Sequence, residues 1–204
     1  LNIELALPGE HNVLNALAAI AVADRLGVED KHIVSALAEF AGIGRRFERL
    51  QDLKVKEGGS AFLIDDYAHH PSELDVTISA ARGAWPNTRL VVVFQPHRYT
   101  RTRDLLDDFA RALSESDVLF VLEVYAAGET EIPGADGRSV CRAVRSRGKV
   151  EPIFVERIED LGQSMWPVLT SEDVVLTLGA GSIGKMAREL PSVINAISTL
   201  AVSA

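Results

Sequence analysis

Five short apolar runs constrain this chain more than any other feature. Residues 61–64, 90–94, 118–122, 152–155 and 174–178 are each long enough for a buried strand and too short for a helix. Amphipathic segments at 72–84, 103–113, 139–147 and 158–168 lie between or beside them, and a last helix is expected over about 183–190. Parallel strands need a crossover between them, so strand and helix in alternation predict a parallel sheet covered on both faces. The expected fold class is α/β: a Rossmann-like, mostly parallel sheet with helices on both faces. A run at 53–55 is a candidate edge strand, and residues 192–204 read as an unplaced tail.

The first 46 residues have a different texture. Residues 1–7 alternate like a strand that Pro8-Gly9 ends, and a strand with no upstream neighbour suggests part of a longer protein. Residues 11–26 predict a long apolar helix whose polar groups, His11, Asn12 and Asn15, share its first turn. One asparagine can cap; the other either packs on a loop or presents an amide, whose donors and acceptor suit a base edge or a ribose. Gly27 closes this helix, Asp30 is expected to cap a second one reaching Phe40, and Ala41-Gly42-Ile43-Gly44 breaks it. Glycines feeding Arg45-Arg46-Phe47 predict a hinge that delivers a cation to a phosphate.

The chain of 204 residues is 47% hydrophobic and 25% charged, enough for a core without disulfides. The single cysteine, Cys141, fits a reducing compartment and an amphipathic helix rather than a nucleophile's setting. No apolar run reaches the roughly 18 residues of a membrane helix. A net charge of −8 argues against nucleic acid as a partner. Positive charge is local instead, at Arg45-Arg46 and at Arg98, Arg101 and Arg103, and planar guanidinium groups in an acidic chain suit discrete anionic ligands.

The loops that follow the strands carry the chemistry. They are Asp65-Asp66-Tyr67-Ala68-His69-His70-Pro71, Gln95-Pro96-His97-Arg98-Tyr99-Thr100-Arg101, Glu123-Val124-Tyr125-Ala126-Ala127-Gly128-Glu129 and Gly179-Ala180-Gly181-Ser182-Ile183-Gly184-Lys185. In a parallel sheet they converge on one rim, where ligands bind. Ser72-Glu73-Leu74-Asp75 has the form of a helix-start box, so the first loop also reads simply as a cap. Gly179-x-Gly181-x-x-Gly184 has the local form of a dinucleotide fingerprint, which makes a nicotinamide-dependent oxidoreductase the alternative function. The pattern sits at the last strand, without the acidic residue expected about 20 positions on. His69 and His70 are adjacent and do not converge as ligands four apart would, so no metal site is expected in this chain. No G-x-x-x-x-G-K-[ST] phosphate loop occurs.

Pro8-Gly9-x-His11-Asn12-x-x-Asn15-Ala16, Gly44-Arg45-Arg46-Phe47, the Asp65–Pro71 and Gln95–Arg101 loops and the glycine loop from Gly179 together resemble the C-terminal portion of the bacterial Mur ligases. The motifs span nearly the whole chain, and the two middle loops resemble the member that takes L-alanine. A related ligase that recycles murein peptides is a second alternative. The resemblance implies a cytoplasmic, carbon–nitrogen ligase of peptidoglycan synthesis. In the reaction it implies, ATP would phosphorylate the carboxylate of UDP-N-acetylmuramate, and the amine of L-alanine would attack the acyl phosphate. It implies that residues 1–46 are the end of a central ATP-binding domain, 47–191 the amino-acid-binding domain and 192–204 a tail. The phosphate loop and most Mg²⁺ ligands would lie outside this chain, whose partners would be its own N-terminal and central domains, and the chain alone would be inactive. It implies His11, Asn12 and Asn15 as adenine and ribose contacts, Arg46 as the cation meeting the ATP phosphates, and Asp66 as a ribose contact. Tyr67, His69, His97, Arg98 and Arg101 would form the pocket for the amino acid, with an arginine on its carboxylate and either histidine accepting the amine proton. Ser182 is a further candidate on the amino-acid side.

Overall fold

The computed structural model describes residues 1–5, 9–40 and 42–202. Helix α1 (Glu10–Arg25) and α2 (Asp30–Glu39) lead to β1 (Glu48–Arg49), β2 (Leu53–Lys54) and β3 (Ser60–Asp66). Then come α3 (Pro71–Ala84), β4 (Leu90–Phe94), α4 (Tyr99–Asp104), α5 (Leu106–Leu113), β5 (Val118–Leu122) and α6 (Gly137–Arg147). The chain continues with β6 (Pro152–Val155), a 3₁₀ turn at Ile158–Asp160, α7 (Leu161–Met165), β7 (Val174–Leu178) and α8 (Ile183–Val202). The four strands from β4 onward have the expected bounds, and β3 runs two residues further, to Asp66.

The sheet order is β1-β3-β7-β4-β5-β6, with β2 also on β3. β3, β7, β4, β5 and β6 are mutually parallel, whereas β1 and β2 are two short antiparallel pieces along the outer edge of β3. β7 enters between β3 and β4, in register at Asp65 with Thr177 and at Phe94 with Leu178. That insertion sets the carboxyl ends of β3, β7, β4 and β5 side by side, as a rim of converging loops requires.

Alternation along each strand divides the interior in two. Leu90, Val92 and Phe94 face one core with Leu74 and Ile78 of α3, Phe109 of α5 and Val140 of α6. Val91 and Val93 face the other with Leu161 and Met165 of α7 and Leu190 and Ile194 of α8. Strands buried on both faces read as continuous apolar runs, which is why they were legible.

Several helix expectations are corrected. The segment expected over 103–113 is two helices broken at Leu105, because Glu129 caps an extra turn: its carboxylate accepts from the Thr100 N–H (3.0 Å) and hydroxyl (2.7 Å). The segment expected over 158–168 is a 3₁₀ turn followed by five residues of α-helix. Residues 1–5 form no strand and pair with none among the described residues; the rest of that call, Ala6, Leu7 and Pro8, lies outside them, as do Ala41, Ser203 and Ala204. Asp30 is the first residue of α2 rather than its cap, and neither Asn12 nor Asn15 caps α1, whose N-cap is Gly9.

The last helix does not stop at Leu190. α8 runs through Pro191 to Val202. A helical proline costs about 3 kcal/mol. Burying Leu190 and Ile194, both fully inaccessible, returns roughly 1.5–3 kcal/mol each, so packing wins. Residues 192–202 thus continue α8, docked through Ile194, rather than forming a separate tail. Ile194→Ala should cost about 3 kcal/mol in urea unfolding, within the usual range for such truncations; an unchanged midpoint would mean that the end of α8 is not docked.

Candidate functional site

The loop after β3 begins with two aspartates on opposite faces of the strand. Asp65 points into the sheet edge, fully buried, and accepts from the Thr177 hydroxyl (2.8 Å) and from Arg45 Nε (2.8 Å). Asp66 points the other way and accepts from the backbone N–H groups of Phe47 and Ala68, both at 2.7 Å. Burial pushes the Asp66 carboxyl up, against those two N–H groups and the nearby Arg46 charge. The two carboxylates thereby pin the arginine segment to the loop. Arg45 and Phe47 both adopt left-handed backbone, φ 60° and 53°, which is costly outside glycine. The Arg45 N–H donating to Glu48 (2.7 Å) and the Phe47 ring stacked on Trp85 (6.2 Å) hold that conformation. Arg45 is turned inward and Arg46 outward, exposed.

Arg46 and Asp66 line a cleft of about 920 Å³ between α1, α2 and the start of α3. His11, Asn12 and Asn15 line the same cleft, so all five residues expected at a nucleotide are brought together. The volume is that of a small-molecule site, and the lining is mostly apolar with the amides of Asn12 and Asn15, one imidazole, one cation, the hydroxyl residues Ser72 and Thr77, and the carboxylates Asp66 and Glu73. That donor set fits a base, a ribose and one end of a phosphate chain. Among the described residues no group of three His, Cys, Asp or Glu side chains gathers as for a metal ion.

The second group lies along the rim. Tyr67, His69, His97 and Tyr125 form a row of rings with centroids 5.2, 5.7 and 5.5 Å apart, crossing from the β3 loop to the β4 and β5 loops. The Arg45 and Arg46 guanidinium carbons stand 5.0 and 5.8 Å from the Tyr67 ring. Arg101, half-buried on α4, donates to the His97 carbonyl (3.2 Å) and faces its Nδ1 (3.3 Å). Burial, His69, Arg101 and Arg98 together hold His97 below the usual histidine range. Arg98 is exposed with φ 72°, and its N–H donates to the Tyr125 carbonyl (2.9 Å), tying the β4 loop to the β5 loop.

The α3 cap differs from the expected box. Ser72 is not the cap: the N-cap is His70, with Pro71 at the first helical position. The Glu73 carboxylate accepts from the N–H groups of His69 (2.9 Å) and His70 (3.1 Å). Burial works to raise the Glu73 carboxyl, but those N–H groups, with His69 and Arg46 nearby, hold it below its ordinary value.

The glycine loop makes room for the chain itself. A Cβ on Gly179 would meet the Gln95 carbonyl, one on Gly181 the Gln95 side chain and the Tyr125 ring, and one on Gly184 the Arg45 guanidinium. Arg45 also donates to the Gly179 carbonyl (2.5 Å). The space a pyrophosphate would need is filled, and the nicotinamide reading is not favoured. Gln95 holds the turn: its Nε2 donates to the Ser182 hydroxyl (3.0 Å) and its Oε1 accepts from the Ile183 N–H (2.9 Å). Sequence reasoning gave no site role to Tyr125 or Glu129, and named Arg45 only with Arg46 and Glu73 only within a helix-start box. Tyr125 carried a signal as the aromatic residue in a polar post-strand loop.

Residues 45–181 match the model of the Mur ligase glutamate ligase domain. The chain is 58% identical over 188 residues to the UDP-N-acetylmuramate–L-alanine ligase of Halorhodospira halophila, covering 92% of this chain and 38% of that protein. The same enzyme of Thiobacillus denitrificans is 57% identical over 190 residues, 93% of this chain and 41% of that protein. The crystal structure of the Thermotoga maritima UDP-N-acetylmuramate–alanine ligase superposes with a TM-score of 0.78 at 35% identity, over 97% of this chain and 40% of that one. The chain thus spans about two fifths of the length of the curated relatives it matches. Domain match, fold and rim agree: this chain belongs to the Mur ligase family.

Proposed function

We propose that this chain is the closing and amino-acid-binding part of a cytoplasmic ligase that uses ATP and Mg²⁺ to join L-alanine to UDP-N-acetylmuramate in peptidoglycan synthesis. The observation that carries the reading is the shared loop. Asp66 faces the 920 Å³ cleft while Tyr67 and His69, the next residues along, belong to the rim with His97 and Arg101. One loop thus borders both a nucleotide-sized cleft and a cationic, aromatic pocket.

In this reading His11, Asn12 and Asn15 hold the adenosine end, Asp66 accepts from a ribose hydroxyl with its remaining lone pairs, and Arg46 neutralises phosphate charge. ATP supplies the phosphoryl group that activates the muramate carboxylate. Arg98 and Arg101 attract the amino-acid carboxylate, Tyr67 and Tyr125 wall the pocket, and Ser182 borders it. Mg²⁺ would take its ligands from outside this chain. Residues 1–46 would belong to a central domain, and those from 47 through α8 to the amino-acid-binding domain. The exposed Val13, Leu14 and Leu17 of α1 support that division, since an apolar helix face of this kind suits cover by the rest of the longer ligase.

The test uses a protein of the relatives' length that carries this chain. ATP hydrolysis that requires both UDP-N-acetylmuramate and L-alanine, with one phosphate released per amide formed, is the expected result. Hydrolysis that responds to a murein peptide and not to L-alanine would replace the reading with the recycling ligase.

A further inference from the structure

The hydrogen bonds of the two rim histidines are opposite in sense. His69 Nδ1 lies 3.0 Å from the Tyr67 carbonyl oxygen and 3.3 Å from Glu73 Oε2. Both oxygens only accept, so in the neutral ring Nδ1 carries the hydrogen and Nε2 keeps a lone pair. His97 Nδ1 lies 3.3 Å from Arg101, which only donates, so there Nδ1 accepts and Nε2 carries the hydrogen. We infer that the histidines divide the work: His69, oriented by Glu73, is the proton acceptor for the incoming ammonium group, and His97 is a neutral hydrogen-bond donor to the substrate. This assignment rests on the ligase reading above.

Glu73 is a positioning residue. The N–H groups of His69 and His70 fix its carboxylate, so the same oxygen that caps α3 also stands beside the Tyr67 carbonyl on the Nδ1 side of His69. A carboxylate behind an imidazole holds the ring and stabilises the imidazolium once formed. The charged or titratable groups around His69 are Glu73 from α3, Tyr67 from its own loop, His97 from the β4 loop, and Arg46 opposite Glu73. In the proton step Nε2 of His69 takes one proton from the ammonium nitrogen, whose freed electron pair attacks the acyl carbonyl; the carbon–oxygen bond to phosphate breaks, and the nitrogen's second proton leaves with the departing phosphate as the amide forms. His97, ringed by Arg101, Arg98 and His69, is disfavoured as an acceptor of positive charge.

Long-range ¹H–¹⁵N correlation spectra of this chain read each neutral tautomer directly. The expected result is Nδ1–H for His69 and Nε2–H for His97. Glu73→Gln keeps an oxygen for the backbone N–H groups but removes the charge that stabilises the imidazolium, while the Tyr67 carbonyl should still hold Nδ1–H at His69. In the longer ligase that variant should lower kcat while the KM for L-alanine stays within about twofold, and His69→Gln should lower kcat by about 100-fold, the low end for general-base catalysis. An Nε2–H tautomer at His69 in the unmodified chain overturns the inference even if Glu73→Gln fails to fold. The expected tautomers combined with full kcat in His69→Gln would remove the proton-acceptor role and leave the ligase reading standing. An unmodified longer protein that does not use L-alanine would sink the ligase reading and leave the tautomers unaffected.

Discussion

Arg45→Ala is expected to destabilise the chain by about 3–5 kcal/mol, the usual cost of breaking one partner out of a buried ion pair. Asp65 is fully inaccessible, and without the guanidinium its charge keeps only the Thr177 hydroxyl. The Gly179 carbonyl loses its donor and the space against Gly184 empties. Such a loss is a large share of a domain's total stability of about 5–15 kcal/mol. Urea unfolding measures it. Asp65→Asn in the Arg45→Ala background should recover part of the loss, because the neutral amide removes the unpaired charge. A midpoint unchanged in the single variant would show that the pair is not what anchors the glycine loop. The neighbouring arginine is a contrast: Arg46 is exposed, so its replacement should leave folding stability nearly untouched.

Arg101→Ala in the longer ligase is expected to raise the KM for L-alanine by about 10- to 100-fold, since a charged hydrogen bond contributes about 1.5–3 kcal/mol. The KM for ATP should move little, because Arg101 lies on the rim and not in the cleft. Among the described residues its hydrogen bonds use one terminal nitrogen, to His97. The rest of the planar fork would be open to a carboxylate. Arg101→Lys should recover only part of the loss, since an ammonium group does not match that geometry. An unchanged KM for L-alanine in Arg101→Ala would remove this residue from the amino-acid pocket.

Local pattern was sufficient for the sheet and not for the turns around it. The strands from Leu90 to Leu178 were found to the residue because burial on both faces writes itself as an unbroken apolar run. α4 was invisible because Tyr99-Thr100-Arg101-Thr102-Arg103-Asp104 has no apolar stripe; Glu129, from a different loop, makes the helix start there. α8 was cut short at Pro191 because propensity is local, whereas the burial of Ile194 against α7 is not. The cleft residues were legible one by one as amides and arginines of unusual placement, and the resemblance named Arg46 for the phosphates, but how the chain separates two adjacent arginines was not legible. Backbone dihedrals and partners distant in sequence separate them, turning Arg45 onto Asp65 and Gly179 and Arg46 into the cleft.

By itself the sequence determined the α/β class, the strands and the rim on which polar loops gather, because periodicity and burial are local properties of the chain. Its motifs also carried the family resemblance that the domain match bears out. Only the tertiary structure decided what each polar group on that rim touches. The glycine loop received Arg45 instead of a pyrophosphate, the Glu73 cap became the partner of His69, and two histidines of one residue type were given opposite neighbours, an acceptor at one Nδ1 and a donor at the other. The reason is physical: a hydrogen bond's sense depends on the atom opposite, and here that atom belongs to another strand's loop or to the backbone folded beneath it.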